Sequence, residues 1–174
     1  MAWPPGVLPI NRTDATPQQT THAADHNGAN QAINDIVARI GTIPRGVVGW
    51  AGKDTEQTGI QTAPVALVGM SVTWTAAAGR HYLIQSMGTM RKSGADTAAD
   101  VELWVQDGAA AQYGDSIGYC PAIAYNTMVT HAIYVATTAG SKIVAMYAKT
   151  AAGYVNVSRM TLTVVDVGGA ALGG

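Results

Sequence analysis

Residues 101–119 read VELWVQDGAAAQYGDSIGY, and this stretch decides the fold class. Val101, Leu103 and Val105 alternate with Glu102, Trp104 and Gln106, the period-2 pattern of a strand with one face turned inward. Asp107-Gly108 then signals a hairpin turn, and 112–119 returns as a second, weaker strand. The same pattern continues on both sides. Downstream, 128–136 alternates, Ala139-Gly140-Ser141 turns and 142–150 returns. Ala152-Gly153 turns again before 154–157 and 160–167. Upstream lie 46–51, 65–68, 71–75 with Val72 and Trp74 on one face, and 81–92 with a bulge expected at Gly88. Gly52-Lys53-Asp54 opens a polar loop. About eight to nine strands, evenly spaced and bounded by turn residues, predict a mainly β protein, an antiparallel β-sandwich or jelly roll. Along 128–136 both faces are apolar, with Val129, Ile133 and Val135 on one and Met128, Ala132 and Tyr134 on the other. An isolated two-layer sandwich shows one wet face, so the second apolar face points to contact between subunits.

A single helix precedes the strands, at 20–41, TTHAADHNGANQAINDIVARIG. His26, Ala29, Ile33, Ile36, Val37 and Ile40 recur at steps of three and four, a heptad-like stripe. Thr21 is read as the N-cap and Asp25 as a first-turn carboxylate; Gly41 and Pro44 end the helix. A two-heptad helix is marginal alone, and isoleucine at successive core positions favours three or more strands over two. The expected arrangement is a short trimeric collar in a homotrimer, with those six residues as its interface. Ahead of it, residues 1–19 hold Pro4, Pro5, Pro9 and Pro17, which keep the chain extended. Trp3, Val7, Leu8 and Ile10 make this segment an arm that docks on another surface. The expected organisation is therefore an anchoring arm at 1–19, helix and hinge at 20–45, a β domain at 46–168 and a Gly/Ala tail at 169–174.

The chain has 174 residues, 48% hydrophobic and only 12% charged, with a net charge of -1. Soluble domains usually carry about 25% charged residues, so the surface must be built from Thr, Ala, Gly, Ser, Asn and Gln. Such a neutral surface suits a packed assembly better than free solution. The longest basic run is Arg91-Lys92, which speaks against nucleic-acid binding, and no apolar run approaches the roughly 20 residues of a membrane span. MAWPPGVLPINRT has neither the basic nor the apolar region of a secretory signal, so synthesis in the cytoplasm is the expectation. Cys120 stands alone and reads as a small buried hydrophobe.

Chemistry has little to draw on. His22 and His26 are four apart, but Ala23 stands where a zinc protease has Glu, so neither a metal nor any other cofactor is expected. His131 shares a face with Val129 and Ile133 and reads as a core histidine. Glu56 and Glu102 are the only glutamates, Gly69-Met70-Ser71-Val72-Thr73 breaks the nucleophile-elbow pattern, and there is no phosphate loop. A non-enzyme is expected. Tyr113, Tyr119, Tyr125 and Tyr154 with Trp104 are candidates for an aromatic shelf; Trp104 and Tyr113 are the surface-recognition residues of that reading, with a host cell-surface glycan as partner.

Two sets of residues carry a family resemblance. The first is Asn11-Arg12-Thr13-Asp14-Ala15-Thr16-Pro17, Thr21-His22-Ala23-Ala24-Asp25-His26-Asn27 and Ala32-Ile33-Asn34-Asp35-Ile36. The second is Gln57-Thr58-Gly59-Ile60, Val68-Gly69-Met70-Ser71-Val72-Thr73-Trp74, Ala78-Gly79-Arg80-His81-Tyr82 and Leu162-Thr163-Val164-Val165-Asp166-Val167-Gly168. Together they resemble small virion structural proteins of tailed phages, particularly those infecting actinobacteria: the arm-plus-helix entry of minor tail and fibre proteins, followed by an all-β domain. The resemblance implies a trimeric jelly-roll-like sandwich in the virion, attached to other tail or capsid proteins through residues 1–45, with no catalytic residues. The lack of a shaft, repeat or large tip domain keeps a capsid decoration protein as the rival. A carbohydrate-binding module is the non-viral alternative.

Overall fold

The computed structural model describes residues 20–92, 98–122 and 124–169, the side chains of 20–25 and 38–42 excepted. The helix α1 (Thr20–Thr42) falls in one unit of the chain, and the strands fall in a second that begins at Pro44. The helix starts one residue before the expected cap, which places Asp25 beyond its first turn. Trp3, Val7, Leu8 and Ile10 of the arm lie outside the described residues, as does the side chain of Ile40.

Among the described residues nine strands follow: β1 (Gly46–Lys53), β2 (Gln57–Ile60), β3 (Val65–Ala76), β4 (Arg80–Lys92), β5 (Ala99–Asp107), β6 (Gln112–Cys120), β7 (Tyr125–Val135), β8 (Gly140–Thr150) and β9 (Val155–Gly169). They form two antiparallel sheets. Sheet I has the order β1-β9-β4-β7, with β2 pairing the start of β9; sheet II has the order β3-β8-β5-β6. The pairings are nested: β5 with β6 innermost, then β4 with β7, β3 with β8, and β1 with β9 outermost. One long hairpin folded across itself gives that nesting, and its rolled form is the jelly roll. The fold is the mainly β sandwich that the alternation predicts.

The sequence divides two strands too finely. Residues 65–75 form one strand, because Gly69 takes a positive φ of 79° and absorbs a register shift between Ala66 and Ser71 without ending the pairing. Residues 155–169 likewise form one strand, carried through Arg159 at φ 49°. The register with β4 slips there: two steps of β4, Met87 to Thr89, face three of β9, Thr161 to Ser158, so the bulge is on β9. Gly88 pairs Met128 of β7 without a shift, which corrects the bulge expected at Gly88. β2 lies in what the sequence presents as a polar loop.

The core between the sheets is filled by alternate residues of each strand, including Val72, Leu103, Val105 and Met146 from sheet II and Tyr82, Ile84, Leu162 and Val164 from sheet I. The chain has no Phe, and Met70, Met90, Met128, Met146 and Met160 fill the space instead, all at 3% exposure or less. Unbranched thioether side chains adapt to irregular gaps. Cys120 is buried among them, as expected. Burial pushes its thiol above the ordinary range, which suits an inert packing role.

At one edge of the sandwich β6 runs close to β7. Gly114 has φ 60°, and a Cβ there would lie 2.8 Å from the His131 carbonyl oxygen. Gly114→Val is therefore expected to destabilise the domain by about 2–3 kcal/mol through backbone strain and steric conflict. A lowered urea midpoint at unchanged slope is the readout.

Candidate functional site

The outward side chains of sheet I fall into cross-strand rows. Val47, Val165, Leu83 and Ile133 form one row; Trp50, Thr163, Gln85 and His131 the next; Gly52, Thr161, Met87 and Val129 a third. His81 and Val135 pair beyond the first row. No Asp, Glu, Lys or Arg points outward within these rows, and Val47, Trp50, Val129, Ile133 and Val135 are each 48–65% exposed. Gly52 is part of the design, since a Cβ there would collide with the Trp50 ring that lies over it. Strand spacing and rise make this face roughly 14 Å by 20 Å, a footprint of about 300 Å² before side chains flare outward. The largest apolar patch of a typical soluble monomer is about 300–600 Å² and is often functional. Charge appears beyond these rows: Arg159, two residues from Thr161 on β9, is exposed, and Arg91 pairs with Glu56 at 2.9 Å and lies over Tyr125.

The outer face of sheet II is different. Glu102 and Lys149 pair across β5 and β8 at 2.7 Å, and Asp100, Asp115, Gln106 and Gln112 lie on the same side. The same face also exposes Ile117, Tyr119 and Ile143, at 66%, 61% and 49%, so it differs from sheet I in its ion pair and carboxylates and not in lacking apolar side chains.

His131 is on the same face as Val129 and Ile133, as the alternation predicts, but that face is the solvent side and the histidine is exposed. Its reading as a core residue is corrected: the core takes Met128, Ala132 and Tyr134 instead. On α1, His26, Ala29, Ile33 and Ile36 are exposed and Val37 is half-buried. The apolar stripe of the helix is thus open within a single chain, with Ile33 at 43% and Ile36 at 56%.

The aromatic shelf does not form. Trp104 is only 4% exposed, stacked on Tyr147 at 5.7 Å with the Lys149 ammonium 5.4 Å from its ring. Its indole N–H donates to Gln106. Tyr119 and Tyr125 point from different sheets. Trp104 is correctly placed on the polar face by its alternation, but its neighbours on that face cover it.

Tyr113 belongs to a different site, a cleft of about 210 Å³ lined by Trp74, Asp107, Tyr113, Tyr134, Ser141 and Lys142, among others. Tyr134 meets Tyr113 edge-on at 5.7 Å and Trp74 edge-on at 6.0 Å. Asp107 Oδ1 accepts from the amides of Ala109 and Ala111, and Oδ2 accepts from the Tyr113 hydroxyl, each at 2.9 Å. Partial burial acts to raise the Asp107 pKa, but these hydrogen bonds and nearby Lys142 outweigh it and hold the carboxyl below its usual range. The resulting stability is present above the carboxylate's unfolded pKa and is lost as pH falls through the lower folded value. Desolvation, with Asp107 adding to it, pushes the Tyr113 phenol up to about 12. The fold therefore favours neutral Tyr113, and that contribution lasts below the unfolded phenol pKa and fades as pH rises towards 12. A pH titration of tyrosinate absorbance is expected to show one late-ionising phenol that moves earlier in Asp107→Asn. An unchanged titration would argue against the Tyr113–Asp107 bond. The sequence signals only half of this site, the turn carboxylate and Tyr113; Trp74, Tyr134 and Lys142 arrive from other strands.

Among the described residues no group of three His, Cys, Asp or Glu side chains is placed to hold a metal, and no helix is long and apolar enough to cross a membrane.

No family model matches the chain, and no curated protein matches it. Solved structures similar to it include the CBM22-1 xylan-binding domain of Paenibacillus barcinonensis Xyn10C, at 11% identity over 70% of this chain and 88% of that one, with a TM-score of 0.35. The structure of infectious bursal disease virus Gx strain is similar at 14% identity, over 73% of this chain and 34% of that one, with a TM-score of 0.47. This chain spans about a third of that viral chain. A further structure, titled for CBM4, is similar at 14% identity over 71% of this chain and 79% of that one, with a TM-score of 0.35. At these values the similarities carry nothing about function.

Proposed function

We propose that this chain is a non-enzymatic structural component of a tailed-phage virion, a homotrimeric appendage of minor tail or fibre type. Residues 1–45 anchor it to other virion proteins, and the β-sandwich faces outward. The observation that carries this reading is the set of cross-strand rows on sheet I, free of Asp, Glu, Lys and Arg, with Val47, Trp50, Val129, Ile133 and Val135 exposed. A monomer in solution gains nothing from four strands of outward Val, Ile, Leu, Met and Trp, whereas a subunit in a symmetric assembly buries them. The exposed isoleucines of α1 support the same reading, since successive isoleucines favour three or more strands. The resemblance of the arm, helix and β segments to phage structural proteins supplies the setting.

Light scattering on the full chain and on residues 45–174 tests the assembly. A mass three times that of one chain is expected for both. Monomers in both would overturn the reading. Labelled antibody on particles then distinguishes addresses: binding at the tail supports the appendage, and binding over the head would replace it with capsid decoration.

A further inference from the structure

We propose that the cleft between the β5–β6 turn and the start of β8 binds one ring of a neutral saccharide. This inference does not rest on the virion reading, because every residue it uses lies within one β domain.

The cleft is walled by Trp74, Tyr113 and Tyr134 and has a volume of about 210 Å³. That is below the roughly 300–1,000 Å³ of pockets for drug-sized ligands and suits a single ring. Aromatic walls match the apolar C–H face of a sugar. The polar groups match its hydroxyls. An ionised carboxylate has about four lone-pair sites, and Asp107 uses three of them on Ala109, Ala111 and Tyr113. One acceptor position is left on a side chain already fixed in orientation. Ser141 and Lys142 bring donors to the same cleft. Trp74, 5% exposed, belongs to the core and contributes an apolar wall to the cleft.

Charge narrows the class. Aromatic walls with a carboxylate would suit a cation, but Lys142 already supplies the positive charge beside Asp107. An anion would meet Asp107. With both signs present the cleft is close to neutral, so the matching ligand is uncharged, rich in hydroxyls and apolar on one face.

Saturation-transfer NMR on the full-length protein tests this with the methyl glycosides of glucose, galactose, arabinose and N-acetylglucosamine as probes. At least one is expected to bind with a dissociation constant on the order of 1–10 mM, about 3–4 kcal/mol. Asp107→Asn and Tyr134→Leu are each expected to weaken it at least about tenfold. Because Asp107 also holds its turn, Lys142→Ala serves as the second variant; it leaves the turn bonds intact and is expected to weaken binding several-fold. Trp104→Phe, outside the cleft, is expected to bind as the parent does. No transfer to any of the four probes at about 50 mM, or transfer unchanged in all three cleft variants, would overturn the proposal.

Discussion

Asp166→Ala is expected to destabilise the β domain by about 3–5 kcal/mol, among the largest single effects in the molecule. Arg80 Nε donates to Asp166 Oδ2 and Nη2 to Oδ1, both at 2.7 Å, in a bidentate pair. Both side chains are at most 4% exposed. Asp166 Oδ1 also accepts from the Gly168 amide. The hydrogen bond to Asp166 raises the Arg80 pKa above its already high value, and a guanidinium stays ionised with or without the carboxylate. The charge is then left without its carboxylate in a dry site, at the point where β4 begins and the end of β9 pairs with it. For a domain of this size about 1 kcal/mol corresponds to roughly 2–4 °C, so a loss of about 6–20 °C is expected in thermal melts at fixed protein concentration. The double variant Arg80→Met with Asp166→Leu is expected to recover most of it, because apolar replacement of a buried pair is often near neutral. A melt of Asp166→Ala within about 2 °C of the parent would show that water reaches the site.

Val129→Lys with Ile133→Lys is expected to break the proposed trimer and leave the single-chain fold intact. Both residues are on β7 and point out of sheet I, at 55% and 56% exposure. Lysine there is solvated in an isolated chain and costs the fold little. At a subunit contact each ammonium would be desolvated without a carboxylate, at about 2–5 kcal/mol apiece. With tenfold in affinity for each 1.4 kcal/mol, the pair should weaken association by about three orders of magnitude or more. Light scattering should then give a monomer at about 10 µM, with circular dichroism unchanged. A variant that keeps the parent's mass would remove sheet I from the interface and leave the helix stripe as the candidate, to be tested with Ile33→Asp and Ile36→Asp.

Much of the β domain was legible because strand formation is local. Alternation at 101–106 and the Asp107-Gly108 turn are written into neighbouring residues, whereas the bulge expected at Gly88 is on the facing strand β9. The division of β3 at Gly69 and of β9 at residues 158–159 misreads the same signal. A glycine or a positive φ marks a bulge as readily as a turn, and only a partner strand that continues past it tells the two apart. Neither β8 for β3 nor β4 for β9 is near in sequence. β2 was missed for a similar reason: four residues are too few to show a period, and their pairing with the start of β9 is what makes them a strand.

The cleft and Trp104 show the other limit. Tyr113 and Asp107 are six residues apart and were both visible, but Trp74, Tyr134 and Lys142 reach them only through the nested pairing. Trp104 was assigned the right face and the wrong exposure, because Tyr147 and Lys149 come over it from β8.

By itself, then, the sequence determined which residues alternate, where the chain turns, that one helix precedes an all-β domain, and that the surface carries little charge. The tertiary structure alone decided which side of each strand became core. On β7 both sides are apolar, so alternation separates Val129, Ile133 and Val135 from Met128, Ala132 and Tyr134 without ranking them. The choice falls to whichever set packs against sheet II, and packing is a property of the closed sandwich that no single strand contains.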